Sequence, residues 1–213
     1  MNFGQLDITE KEKVFINKYV EYGNQELMIT GFEMKASKAG DKHQIEMKVE
    51  SPTITTEGFT PDEKAINGGK VGSIKVGIYA NYTEFEEAKK IATICQSIAK
   101  RVDEGTYSKV CAIEAADMQT YLNTFAALMK GKFVWFTVCA EAYGTKTSEK
   151  TGKTYDKYTL NLGRYKYVGS SESDLAPFDK TNKYHYGYTD TYSATPDAPS
   201  TPVTTTTGST PWN

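Results

Sequence analysis

Hydrophobic and polar positions alternate with period two near the start of the chain, shift to a helical period in the middle, and return to two. The clearest alternation covers 43–50, where His43, Ile45, Met47 and Val49 point one way and Gln44, Glu46, Lys48 and Glu50 the other. Such a pattern marks an antiparallel strand with one face buried. Before it, 26–35 is a predicted strand with Met28, Thr30, Phe32 and Met34 on one face and Leu27, Ile29 and Gly31 beginning the other. The intervening 37–42 reads as a turn, because Gly40 and Asp41 tolerate positive φ. A Thr-, Pro- and Gly-containing connection over 51–70 leads to a third strand at 71–80, with Ile74, Val76 and Ile78 on one face.

The period then changes. Thr83 and Glu86 form the Ser/Thr-x-x-Glu pattern of a capping box. Phe85, Ala88, Ile91, Ala92, Cys95, Ile98, Ala99 and Val102 follow at steps of three and four. They predict an amphipathic helix of about five turns, ended by Gly105. A second helix over 115–130 places Met118, Tyr121, Leu122, Phe125 and Met129 on one face, with Gly131 as its stop. Period two returns in a fourth strand, 133–143, apolar on both faces, which makes Trp135 a core residue. A polar loop, 144–154, separates it from a long fifth strand, 155–168, with Gly163 as a bulge or bend.

Three strands, a helix pair and two strands predict a mainly β fold with inserted helices. The arrangement is a five-stranded OB-type Greek-key barrel with the helix pair between strands three and four. Another α+β fold with the same element order is the alternative. Residues 1–24 form an N-terminal arm in which Val14, Phe15 and Tyr19 stand at helical spacing, and 25–168 the predicted nucleic-acid-binding domain. An extension rich in Tyr, Ser and Asp covers 169–192. The Thr/Pro-rich stretch 193–213 carries one charge, Asp197, and buries too little apolar surface to offset its ordering entropy, so it reads as a flexible tail.

Composition narrows the classes. With 38% hydrophobic and 24% charged residues the chain can build one core. A formal net charge of −2 does not mark a nucleic-acid binder, so a basic site must come from local clustering. The three cysteines, Cys95, Cys111 and Cys139, lack CxxC spacing and read as free thiols, with Cys95 and Cys139 in predicted elements. A reducing cytoplasm is the expected compartment. No apolar run approaches the roughly 18 residues of a membrane span, and the N-terminus has no signal-peptide core. Only two histidines occur, His43 and His185, and neither has metal-ligand spacing. No nucleophile, phosphate-loop or zinc motif appears. Glu84, Glu86 and Glu87 suit a helix start. No catalysed reaction, cofactor or metal is expected.

Positive charge gathers at two hairpins. The first holds Lys35, Lys38 and Lys42. The last, 143–168, holds Lys146, Lys150, Lys153, Lys157, Arg164 and Lys166 against Glu149 and Asp156, a local +4 in a chain of −2. Tyrosines interleave with these cations: Tyr143, Tyr155, Tyr158, Tyr165 and Tyr167. Lysines that track phosphates release condensed counterions, and aromatic faces stack on bases at roughly 1–3 kcal/mol each. The candidate nucleic-acid contacts are therefore Lys35, Lys38, Lys42, Tyr143, Lys146, Lys150, Lys153, Tyr155, Lys157, Tyr158, Arg164 and Tyr165. Tyr143 and Tyr155, flanking the loop, are the strongest platforms. The competing reading makes the lysines soluble turns and edge protection, and the strand tyrosines core.

The first hairpin, ITGFEMKASKAGDKHQIEMKVE, resembles the Lys-x-Ser/Thr-Lys-x-Gly hairpin of phage single-stranded DNA-binding proteins. The segment KFVWFTVCAEAYGTKTSEKTGKTYDKYTLNLGRYKYV is similar to their closing hairpin. The likeness spans roughly 25–168 and lies in pattern and order. It implies a protein that coats unpaired DNA in the host cytoplasm during phage replication or recombination. That family also recruits replication proteins through an acidic tail with a terminal aromatic. Here Trp212 stands near the end, but acids are almost absent. The alternatives are a virion structural or cargo protein and an OB-type protein-interaction module. Truncation after Tyr192 is expected to leave both the melting temperature and the affinity for an oligonucleotide unchanged. A large drop in melting temperature would show that the tail packs on the domain.

Overall fold

A computed structural model describes residues 19–53, 69–149 and 151–188. Val14 and Phe15 of the N-terminal arm, the middle of the 51–70 connection, Lys150 and the Thr/Pro-rich stretch with Trp212 lie outside the described residues. Seven strands and three α-helices are described: β1 Gly23–Ala36, β2 His43–Glu50, β3 Val71–Ala80, α1 Phe85–Lys100, α2 Glu104–Cys111, α3 Met118–Met129, β4 Phe133–Thr147, β5 Thr154–Leu162, β6 Val168–Gly169 and β7 Tyr186–Tyr188. No helix among the described residues is long and apolar enough to cross a membrane.

Five strands close into a ring. β1 pairs with β2, β2 with β3 and β5 with β4, all antiparallel, and β4 returns to β1. The seam between β3 and β5 is parallel and holds only two pairs, Ile74 with Leu160 and Lys75 with Asn161. Inside the ring sit Leu27, Ile29, Ile45, Met47, Ile74, Val76, Phe136 and Val138, all buried. The helices add Ile91, Cys95, Leu122, Phe125 and Met129 to the same core.

Among β1, β2 and β3, strand phase departs from simple alternation in each strand. In β1 the register shifts between Ile29 and Gly31, so Thr30 is an inserted residue. Leu27 and Ile29 are buried before it, and Phe32 and Met34 pack on the core after it, with the Phe32 ring 5.9 Å from Phe125. The two faces predicted for this strand therefore exchange halfway. In β3, Gly77 adopts φ +72°, a backbone that favours glycine, and the following residues bulge away from β2. Ile78, predicted on the core face, is 70% exposed as a result, and Ala80 is buried instead. At the start of β2, Gln44 is buried rather than solvent-facing.

The fifth strand ends at Leu162 rather than 168. An added Cβ on Gly163 would lie 3.0 Å from the Thr137 carbonyl oxygen and 3.1 Å from Tyr167 Cβ, a fit tight enough that its neighbours would have to shift by a few tenths of an ångström. The chain bends over 163–167 and resumes as β6 on β4. Trp135, predicted in the core, is half-buried on the outer side of β4, where it pairs with Glu26 and Gly169.

The helical region holds three helices, not two. The predicted capping box is not formed, because Asn81 Oδ1 accepts from both the Thr83 amide, at 3.2 Å, and the Thr83 hydroxyl, at 2.8 Å. That turn engages Thr83 elsewhere, and α1 opens at Phe85 with Glu84 at the N-cap position, its side chain making no capping hydrogen bond. Gly105 does not end α1 but lies in the first turn of α2, which Asp103 caps by accepting from the Thr106 amide. Asp117 caps α3 in the same way, and Gly131 follows it at φ +76° as the expected stop.

Residues beyond the ring fold back on it. Val168–Gly169 pairs with β4 antiparallel, and Tyr186–Tyr188 pairs with Ala140–Ala142 in parallel. Tyr186 is buried against Tyr22, with ring centroids 5.1 Å apart. Phe125, fully buried where α3 meets β1, sets the helix-to-ring packing. Phe125→Ala is expected to cost about 3–5 kcal/mol, read as a lower urea midpoint at unchanged slope.

Candidate nucleic-acid interface

The closing hairpin stands out from the ring. Cross-strand pairs of an antiparallel ladder share a face. The register pairs Lys146 with Tyr155 and Gly144 with Lys157, which sets Lys146, Tyr155 and Lys157 on one face of the hairpin. A register shift between Ala142 and Gly144 makes Tyr143 the inserted residue. Tyr143 and Tyr155 are 53% and 55% exposed, in keeping with a stacking role. The tip is closed by the Ser148 amide donating to the Lys153 carbonyl, at 2.9 Å, and by Gly152 at φ +65°. Lys146, Lys153 and Lys157 are exposed, and among the described residues none of them forms an ion pair.

The opposite face of β5 turns inward. Tyr158 is half-buried, its ring 5.3 Å from Tyr22, so it braces the extension and offers no open platform. Tyr186 donates its hydroxyl to Asp156 on that same side. Lys180 lies over both Tyr22 and Tyr186, at 5.4 and 4.9 Å from the ring centres. These contacts clip the extension to the ring.

The first hairpin is less free than its sequence suggests. Lys35 Nζ lies 2.8 Å from Glu46 Oε2, and Lys48 lies 2.8 Å from Glu33 and 3.3 Å from Glu46. Ser73 donates to the same Glu46 oxygen at 2.7 Å. Lys35 is therefore committed to carboxylates. Lys38 and Lys42 remain exposed in the turn, which the Ser37 amide closes on the Lys42 carbonyl at 2.7 Å. Partial burial pushes the Glu46 carboxyl up, but the hydrogen bonds from Lys35 and Ser73 outweigh it and hold the group down at about 2.

A cleft of about 760 Å³ opens beside the two-pair seam of the ring. Lys75, Tyr79, Asn161, Arg164, Lys183 and Tyr184 line it. Asn161 has the same alternation parity on β5 as Tyr155 and Lys157, so hairpin and cleft share one outer face. Arg164 and Tyr165 belong to the bend after Gly163, not to a strand, and Tyr165 is 72% exposed. The bend is pinned to β4 by Gly163 N–H donating to the Thr137 carbonyl and Thr137 N–H donating to the Tyr167 carbonyl, both 2.9 Å.

Of these six cleft groups sequence reasoning singled out Arg164 alone and missed the other five. Lys75 could have been found, because it sits outward between the inward Ile74 and Val76. Tyr79 could not, because the Gly77 bulge sets its direction. Lys183 and Tyr184 fell in the extension, which long-range contacts bring to the ring, among them Ala140 N–H donating to the His185 carbonyl at 2.9 Å and the pairing of β7 with β4. No known protein family matches this sequence, and no curated protein matches it.

The Glu46 cluster gives a pH dependence of defined sign. A carboxyl depressed in the folded state stabilises it above the ordinary value of 4.5, and that contribution is lost as pH falls towards about 2. Urea midpoints of the wild type should fall over that window, and Glu46→Gln should flatten the fall.

Proposed function

We propose that this chain is an OB-type barrel that binds single-stranded DNA without strong sequence preference and coats it during phage replication or recombination in the host cytoplasm. The ring order, the short parallel seam and the helices inserted between β3 and β4 support the fold reading. The observation that carries the functional reading is the hairpin face. Lys146, Tyr155 and Lys157 stand together on it, exposed and free of ion pairs among the described residues.

A flat tyrosine beside unneutralised ammonium groups suits a polyanion whose bases are open. The ammonium groups displace counterions from phosphates, and the phenol ring stacks on a base of any identity. A duplex hides its base faces and offers only the ionic part. Lys38, Lys42 and Lys153 extend the basic surface at the two turns, and Arg164 and Tyr165 extend it past the end of β5. The Thr/Pro-rich tail, with Trp212 as its one large side chain, is the proposed contact for replication proteins.

In a gel-shift competition oligo-dT is expected to displace a labelled single strand far better than duplex of equal length, and equal competition by duplex would end this reading. Lys146→Ala, Lys153→Ala and Lys157→Ala together should weaken binding to all sequences alike. The slope of log K against log salt should become shallower by about 0.7 per lost phosphate contact. An unchanged slope would show that the hairpin does not touch the backbone.

A further inference from the structure

We propose that the seam cleft is a single-nucleotide pocket. It takes one base of the bound strand, unstacked from its neighbours, against Tyr79 and Tyr184, with Arg164, Lys183 and Lys75 around that nucleotide's phosphate. The proposal rests on the single-strand reading above and assigns a subsite to it.

Shape is the first argument. The hairpin face is open and can only support bases from one side. The cleft is concave, and its volume of about 760 Å³ falls within the roughly 300–1,000 Å³ of small-ligand sites. It exists because β3 and β5 pair over two residues only and then diverge. β3 bulges at Gly77 and β5 gives way to the bend at Gly163.

Charge and polarity follow. Three cations, Lys75, Arg164 and Lys183, face a single acid, Glu141, and none of the four forms an ion pair among the described residues. Tyr79 and Tyr184 are 48% and 61% exposed, and with Lys183 Nζ 5.2 Å from the Tyr184 ring centre on one face, the other face of that ring is left for a base. Gln44 gives the cleft a fixed polar group. Its amide nitrogen donates to the Val76 and Gly77 carbonyls, at 3.3 and 3.2 Å, which turns its carbonyl oxygen into the acceptor it can offer a base edge. Asn161 adds an amide with both donor and acceptor capacity.

The walls are held in place. Ala140 N–H donating to the His185 carbonyl anchors the loop that carries Lys183 and Tyr184, and the Tyr184 amide donates to Asn182 Oδ1 at 3.0 Å. Thr137 holds both ends of the bend that carries Arg164. The route from hairpin to cleft is continuous, because Tyr155, Lys157, Thr159 and Asn161 alternate onto one side of β5 over about 20 Å. A strand laid across the hairpin reaches the cleft without changing face.

The test uses the full chain with two probes, 5′-dTMP and an oligo-dT carrying 5-bromodeoxyuridine. Binding of 5′-dTMP, followed by tyrosine fluorescence, is expected to weaken about tenfold in Arg164→Ala and in Lys183→Ala, the loss of one charge-assisted contact. Both side chains are exposed, so melting temperatures should not move, and Arg164→Lys should restore part of the affinity. Ultraviolet cross-links from the substituted oligonucleotide should map to the peptides holding Tyr79 or Tyr184. If the oligonucleotide binds but cross-links only within the hairpin, and 5′-dTMP ignores both substitutions, the pocket is overturned and single-strand binding stands. If the oligonucleotide does not bind at all, the single-strand reading falls and the assigned subsite with it.

Discussion

The fold depends on β4 being hydrogen-bonded along both edges. Val138 pairs with Gly23 on one side and Leu162 on the other, so β1 and β5 flank it. Trp135 pairs with Glu26 and with Gly169, which places β6 on the β5 edge. Ala140 pairs with Leu160 and Tyr186, which places β7 on the β1 edge, where β1 has already departed. Over its middle β4 has partners on both edges, which satisfies its backbone groups and lets that stretch lie at the centre of the molecule. Ring closure, the return of the extension and the reach of the closing hairpin all follow from this one strand.

The same arrangement separates packed surface from open, lysine-bearing surface. One side of β5 is consumed by Leu160, by Tyr158 against Tyr22, and by Asp156 accepting from Tyr186. The other side meets nothing within the hairpin and keeps its lysines and tyrosine open. On β1 and β2 the outer side is instead closed by its own ion pairs among Glu33, Lys35, Glu46 and Lys48. Exposed ion pairs contribute little stability singly. Here they have a different effect, which is to neutralise Lys35 and leave the positive field to the closing hairpin and the cleft.

The extension contributes both packing and chemistry. Phe178 stacks on Tyr22, with ring centres 5.8 Å apart, and on His185, 5.1 Å apart. Tyr186 fills the space over Ala140 and Ala142. Through these contacts the extension reaches the ring and delivers Lys183 and Tyr184 to the seam. The cleft is thus built from β2, β3, β4, the end of β5 with the bend that follows it, and the extension, stretches that only the fold brings together.

By itself the sequence determined the positions of the five ring strands to within a few residues at most ends. It also determined the first turn at Gly40, the helical stretch between β3 and β4 and the stop at Gly131. Each of these depends on neighbours a few positions away, through side-chain alternation, glycine backbone freedom or helical spacing. Tertiary structure decided the rest. It set the phase of β1 after Thr30 and of β3 after Gly77, because a bulge is defined against a partner strand. It decided that Thr83 bonds Asn81 rather than capping α1, and that Trp135 stays half-buried on the outer side of β4. It decided which lysines are free, because Lys35 and Lys146 look alike until a cross-strand carboxylate reaches one of them. It also brought Lys183 and Tyr184 to the seam, through hydrogen bonds that no local pattern encodes.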